Sequence, residues 1–274
     1  MNPLSKPFLI TKSTGEQEPF DPKKLVSSLK RAGAGDEQAN NVLSHVESEM
    51  VSGMSTGDIY RHAFSLLRHA SRPVAARYSM KRAVAELGPN GFPFEKFIAE
   101  IFKAQGYEAV TDQIVQGHCI EHEVDVVAWR GNELIMVEAK FHNEQGMKSD
   151  SKVALYVKAR FDDLKNGEFV YGGKTRKLSS WQLFTNTKFS DRAIQYAECQ
   201  ELSLVGWNYP RKGNLEDMIA QAHLHPLTAL TTLSQAEKHA FLDQGLILCK
   251  QLIGLPGLKS ETQEEIRHIC GGVI

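Results

Sequence analysis

Apolar residues at Phe94, Phe97, Ile98, Ile101 and Phe102 repeat with the spacing of one helical face, and Gly106 closes the run. The period then shortens. Stretches near 108–115, 122–129 and 133–141 alternate or run apolar, which predicts three strands. A stripe of Val153, Val157, Phe161 and Leu164 predicts a helix at about 151–165. It is followed by a strand at WQLFTN, a helix at SDRAIQYAECQ and a strand at LSLVGW. Strand and helix in this order predict a mixed sheet with crossover helices.

Upstream, FLITKSTGEQEPFD reads as a strand, a turn at Thr14-Gly15 and a second strand ending at Phe20. Asp21-Pro22 supplies a cap and a first-turn proline for the helix PKKLVSSLKRAG. Helices follow at about 36–51, 56–70 and 73–87. LGPNGFP, from Leu87 to Pro93, interrupts the helical pattern with two prolines and two glycines and marks a boundary. From Leu215 onward only helical patterns with turns appear, GLPGL among them. The fold class is α/β (α+β), in three parts: 1–90, a small hairpin with helices; 91–214, a mixed sheet flanked by helices; and 215–274, a short helical tail.

Composition narrows the function. The 274 residues are 42% hydrophobic and 24% charged, as in ordinary soluble globular proteins. No apolar run approaches the ~20 residues needed to span a bilayer, and MNPLSKPFLI lacks the apolar core of a signal peptide. Cys119, Cys199, Cys249 and Cys270 form no CxxC pair, which argues for free thiols in a cytoplasmic protein without membrane association. Net charge is −1, while residues 1–90 carry 12 Lys and Arg against 9 Asp and Glu. Any contact with nucleic acid must therefore use local patches.

One strand breaks its own pattern. LIMVEAKFH places Glu138 and Lys140 on one face of an otherwise apolar run. Gly131-Asn132 is a two-residue turn, and pairing Arg130 with Glu133 puts Trp129 opposite Leu134 and Val127 opposite Met136. Continued, that register sets Asp125 opposite Glu138 and Glu123 opposite Lys140. Two carboxylates about 4 Å apart at an effective dielectric near 20 repel by on the order of 4 kcal/mol. A raised pKa, a neighbouring lysine or a divalent cation would relieve it; so would an ion-pair cluster at the hairpin's end, and a bulge would break the register.

Asp125, then Glu138-Ala-Lys140 after twelve intervening residues, resembles the PD-(D/E)XK nuclease signature. FEKFIAEIFKAQGYEA, VDVVAWRGNELIMVEAK and LFTNTKFSDRAIQYAECQELSLVGW together resemble the type IV restriction endonuclease (Mrr-like) branch over roughly 92–210. The resemblance implies a restriction-endonuclease-like fold and a metal-dependent endodeoxyribonuclease. Asp125 and Glu138 would ligate Mg²⁺ (or Mn²⁺), Lys140 would orient water or neutralise charge, and Glu95 would be the family's helical glutamate. His118, His122 and His142 are close enough in sequence to touch the site, and are otherwise read as solvated or structural.

The N-terminal part resembles the ATP-cone, the nucleotide-sensing module of ribonucleotide reductases and of their transcriptional repressor. The residues are Ile10-Thr-Lys12, Gly15, Glu18-Pro-Phe20-Asp21, Lys24-Leu25 and Ser55-Thr56-Gly57-Asp58-Ile59-Tyr60. This implies ATP or dATP as regulatory ligand, bound through Ile10, Lys12, Glu18, Lys24 and Thr56. Ser13 stands where the family commonly has arginine, and the repressor's cysteine ribbon is missing.

A row of Lys152, Tyr156 and Arg160 is set to meet a phosphate backbone or solvent, and GGKTRK (172–177) is a basic loop. The tail loosely resembles helix-hairpin-helix segments. The reading is a nucleotide-regulated DNA endonuclease, in restriction or defence, acting as a homo-oligomer. The alternative is a non-catalytic ATP/dATP-responsive nucleic-acid-binding or oligomerisation switch.

Overall fold

The computed structural model describes residues 8–270 apart from Ser13 and Gln145. The position after Lys12 and the first seven residues, weighed above, lie outside the described residues. Strands β1 (Leu9–Thr11) and β2 (Gln17–Pro19) pair antiparallel around the Gly15 turn. Helix α1 (Pro22–Arg31) starts as its sequence predicts, with the Asp21 carboxylate accepting from the Lys23 amide. Helices α2 (Asp36–Ser48) and α3 (Thr56–Ala70) follow, the latter opened by a reciprocal Ser55–Asp58 capping box. The single helix expected over 73–87 is two, α4 (Arg72–Tyr78) and α5 (Met80–Ala85). The break is at Ser79, whose hydroxyl donates to the Ala76 carbonyl and so competes with the helical backbone.

Helix α6 (Phe92–Ala104) leads into β3 (Glu108–Gln116), β4 (Glu121–Arg130) and β5 (Glu133–Lys140). Next come β6 (Lys148–Ser149), α7 (Ser151–Leu164), β7 (Glu168–Tyr171), β8 (Lys174–Lys177), β9 (Ser180–Thr185), β10 (Lys188–Phe189), α8 (Asp191–Cys199) and β11 (Ser203–Val205). The main sheet has the order β11-β9-β5-β4-β3; β3, β4 and β5 are antiparallel, and β9 and β11 add in parallel through the crossovers α7 and α8. Mixed α/β architecture is thus as the alternation predicts. The tail holds α9 (Leu215–Ala222), α10 (Gln235–Asp243) and α11 (Ser260–Cys270).

The basic stretch GGKTRK is no loop. Gly172 and Gly173, at φ 56° and 70°, turn the β7–β8 hairpin, and Arg176 is buried with its guanidinium on the Gly131 and Tyr171 carbonyls. Paired positive-φ residues are what a tight hairpin turn requires.

Two compact units result. One comprises the chain up to Met80 with Ala229–Ser234 and the residues from Gly254 onward; the other comprises Lys81–Thr228 and Gln235–Ile253. The first has a core of Leu29, Ala39, Val46, Ala63 and Leu67. Within it α11 packs on α4, Arg72 pairs with Glu261, and buried Glu265 accepts from the amides and hydroxyls of Thr231 and Thr232. In the second, the α6 stripe is fully buried, and Leu134 and Met136 of β5 pack with Val157 and Leu164 of α7. Each such side chain contributes about 1.5–3 kcal/mol by burial. Among the described residues no helix is long and apolar enough to cross a membrane.

Candidate active site

The Gly131 turn, at φ 59°, closes the β4–β5 hairpin in the predicted register, from Arg130↔Glu133 through Val127↔Met136 to Val126↔Val137. There the ladder ends. Asp125↔Glu138 and Glu123↔Lys140 are not ladder pairs, which corrects the extrapolated register. Instead the Asp125 carboxylate accepts the Ala139 amide at 2.6 Å, filling the place of the next backbone bond.

The other edge of β4 is interrupted at the same point. Its pairing with β3 skips from Thr111↔Val126 to Gln113↔Val124, and Asp112 has a left-handed φ of 57°. Aspartate tolerates that conformation better than most residues. Val124 and Val127 consequently share one buried cluster, although positions three apart fall on opposite faces of a regular strand. Past the hairpin, β5 is held by β9 alone, with Glu138↔Leu183 and Lys140↔Thr185. The ladder is thus broken on both sides of Asp125: for a single pair toward β3, where pairing resumes in the same register at Gln113↔Val124, and from there onward toward β5.

Three candidate carboxylates converge here. Glu95, in the first turn of α6, has its carboxyl pushed up to about 7, by desolvation first and then by Asp125, Glu123, Asp112 and Glu138. Glu138 is likewise raised to about 7, by desolvation and then by Asp125, with Arg160 opposing. Asp125 is raised chiefly by desolvation, against the Ala139 amide and Arg160. Each shift means that the surroundings resist negative charge. Lys140 is exposed at the end of β5 and acts on Glu138 electrostatically.

Arg160 was missed as a site residue. Instead of joining Lys152 and Tyr156 in an outward row, it is buried, and its guanidinium donates to the Glu138 carboxylate and the Glu123 carbonyl. It lies 5.4 Å from the Tyr156 ring centroid and 5.8 Å from that of Trp181. Its helical position beside the Val153–Val157 stripe was the available sequence signal.

Hard carboxylate oxygens that resist ionisation suit a divalent cation, and Mg²⁺ takes one or two of them while keeping waters. Asp125 and Glu138 fit that donor set. Among the described residues no three His, Cys, Asp or Glu side chains form a closed metal cluster.

A buried polar floor supports the strand ends. Asn186 clamps His142, its amide oxygen accepting from the His142 backbone at 2.9 Å and its nitrogen donating to the His142 carbonyl at 2.8 Å. Ser149 Oγ bonds the His142 ring at 2.9 Å and donates to Thr185 Oγ1 at 3.3 Å. His142 is therefore structural. So is His122, which meets Asp163 at 2.8 Å, while the Asp163 carboxylate also accepts the Cys119 and Ile120 amides.

In the first unit, the nucleotide candidates gather at the hairpin. Ile10 is buried opposite Glu18. Glu18 pairs with Lys12 at 2.9 Å and with Lys24 at 3.3 Å, which lowers its pKa. Thr56 opens α3, and β1 is tied to that end by the Thr11–Ser55 bridge and by Thr11 N donating to the Met54 carbonyl at 3.0 Å. Two lysines thus flank one carboxylate on a hairpin whose first strand is tied to the start of α3, and such ammonium groups suit phosphate.

Three family models match the chain: the ATP cone domain over 8–86, the Mrr catalytic restriction endonuclease domain over 89–208, and the AF1548-like C-terminal domain over 225–268. An uncharacterized protein of Archaeoglobus fulgidus is 36% identical over 172 residues, 63% of this chain and 89% of that one. The crystal structure of the protein of unknown function AF1548 superposes with a TM-score of 0.53 at 32% identity, over 67% of this chain and 100% of that chain. Protein VC1899 from Vibrio cholerae matches more distantly, at 15% identity and a TM-score of 0.34, over 73% of this chain and 55% of that one. The chain belongs to the AF1548-like family and joins an ATP cone domain to an Mrr-type restriction endonuclease domain.

Proposed function

We propose that the protein is a nucleotide-regulated, divalent-metal-dependent DNA endonuclease. Residues 1–90 would sense ATP or dATP, 91–214 would cut, and 215–274 would aid DNA binding or assembly. The observation that carries this is the convergence of Asp125, Glu138 and Glu95, each with its carboxyl pKa raised, beside Lys140 where the sheet opens.

Asp125 and Glu138 would hold the metal, which when bound supplies Lewis acidity and a more acidic water. Arg160 occupies one Glu138 oxygen and so fixes the direction of the other. Lys140 presents an ammonium to the scissile phosphate and offsets charge developing there. Glu95, titrating near neutrality, is suited to take a proton from the attacking water. In the first unit, Lys12 and Lys24 would exchange part of their pairing with Glu18 for nucleotide phosphates.

Arg160 already neutralises Glu138, and this favours a second reading, a non-catalytic ATP- or dATP-responsive DNA-binding or oligomerisation switch. Plasmid cleavage decides between them. Cutting is expected with Mg²⁺ or Mn²⁺, altered by ATP or dATP, and lost in Lys140→Ala. Equal cutting in EDTA, or none with either metal, overturns the nuclease reading.

A further inference from the structure

Beside the carboxylates lies a cationic feature that the proposed chemistry leaves unused. Strands β6 and β10 form a separate two-residue parallel pair, with Lys148 directly opposite Lys188 and Ser149 opposite Phe189. Ser149 and Phe189 are buried and both lysines are exposed, so alternation sends the two ammonium groups to solvent on one side. Like charges opposite one another destabilise a strand pair. Among the described residues neither lysine is in a salt bridge.

The pair persists because its underside is fixed. Ser149 is tied to His142 and Thr185, and the Ser190 amide donates to the Ser149 carbonyl at 3.0 Å. Each lysine also precedes a helix start by a few residues. Asp150 caps α7 and Ser190 caps α8, and the two helices pack together. Each lysine thus comes two or three residues before the first turn of one of two packed helices, whose N-terminal dipoles add positive potential. Asp150 and Asp191 lie alongside; the Asp150 carboxylate is occupied by the Lys152 and Val153 amides. Lys81 lies near Lys188, and its pKa is lowered by desolvation and then by that lysine, with Glu216 acting the other way.

Location gives the patch its ligand. Lys140 pairs in register with Thr185, three residues before Lys188, so about 5 Å across the strand pair and at most about 10 Å along the chain put the two backbone positions within roughly 15 Å. We propose that Lys148 and Lys188 clamp the phosphate backbone of a DNA strand a few nucleotides from the bond that Asp125, Glu138 and Lys140 address. The identity of the strand as substrate rests on the nuclease reading; the clamp itself is measured without catalysis.

The test is equilibrium binding of a labelled duplex to the full chain in EDTA, across KCl concentrations, for wild type, Lys148→Gln, Lys188→Gln and the double variant. Each lost phosphate contact lowers the slope of log K against log salt by about 0.9. The double variant is expected to lose about 1.8 in slope and roughly tenfold or more in affinity at low salt. Lys177→Gln, on the β7–β8 hairpin beside the Gly131 turn, is expected to match wild type, and unchanged melting temperatures check folding. Wild-type slope in the double variant, or no DNA binding by wild type, overturns the clamp. Displacement of DNA by inorganic pyrophosphate at constant ionic strength also overturns it, by assigning the lysines to a small phosphate ligand. A lowered slope in the double variant, with no plasmid cutting by wild type in Mg²⁺ or Mn²⁺, leaves the clamp standing and removes the nuclease reading; metal-dependent cutting with an unchanged slope does the reverse.

Discussion

Replacing Arg160 by methionine removes a buried cation while keeping most of the side chain's length. The Arg160 and Glu138 side chains are 9% and 17% exposed, so the surviving carboxylate has little access to water. Removing one partner of a buried pair commonly costs about 3–5 kcal/mol. Here the cost has an escape route, because Glu138 can keep its proton. The folded carboxyl titrates at about 7 with Arg160 in place, against 4.5 for an unperturbed glutamate.

A raised carboxyl pKa makes folding less favourable as pH climbs through that window, since the unfolded chain sheds its proton first. Below 4.5 there is no penalty; by about 7 it reaches on the order of 3 kcal/mol. Above 7 the wild type ionises and the penalty levels off, whereas the variant stays protonated and continues to lose stability. The difference between them therefore grows by about 1.4 kcal/mol per pH unit above 7, reaching roughly 3 kcal/mol near pH 9.

Urea unfolding followed by tryptophan fluorescence measures this. Trp129, Trp181 and Trp207 are the three tryptophans, all in the second unit, so the signal follows that unit alone. A difference constant from about pH 6 to pH 9 would refute the argument and leave Arg160 a packing role against Tyr156 and Trp181.

Two more outcomes follow from the titrating groups. Magnesium binding measured by calorimetry is expected to strengthen roughly tenfold or more from about pH 6 to pH 8 with proton release, because Asp125 and Glu138 must both ionise. Affinity independent of pH would exclude them as ligands. Asp163→Asn is expected to lower the melting temperature at neutral pH. Asp163 has a depressed pKa, chiefly through His122, so its contribution is present above the ordinary aspartate range and disappears as acid protonates it. An equal deficit in strong acid would contradict that assignment.

The parts of the fold legible in the sequence were those fixed by local periodicity. The α6 stripe and the Gly131-Asn132 register needed only neighbouring residues, and both agree with the structure. Register failed where a side chain took over from the backbone: nothing in VDVV states that the Asp125 carboxylate would capture the Ala139 amide and end the ladder. Arg160 sits among charges on an amphipathic helix, and only the tertiary placement of Glu138 turns it inward. GGKTRK was read through its charges, although two consecutive glycines between β-favouring residues carried the hairpin signal. The β6–β10 pair, two residues long and parallel, has no periodicity to detect.

The Asp125–Ala139 hydrogen bond limits what evolution can exchange at this position. One oxygen of that carboxylate serves as a rung between parting strands, leaving the other for chemistry. Glutamate would be as good a donor to a cation, yet its extra methylene overshoots the amide by about 1.5 Å. Identity at position 125 is thus constrained twice, by charge and by reach. Any movement of the carboxylate toward a bound ion is transmitted directly to the spacing of the two strands that carry the site.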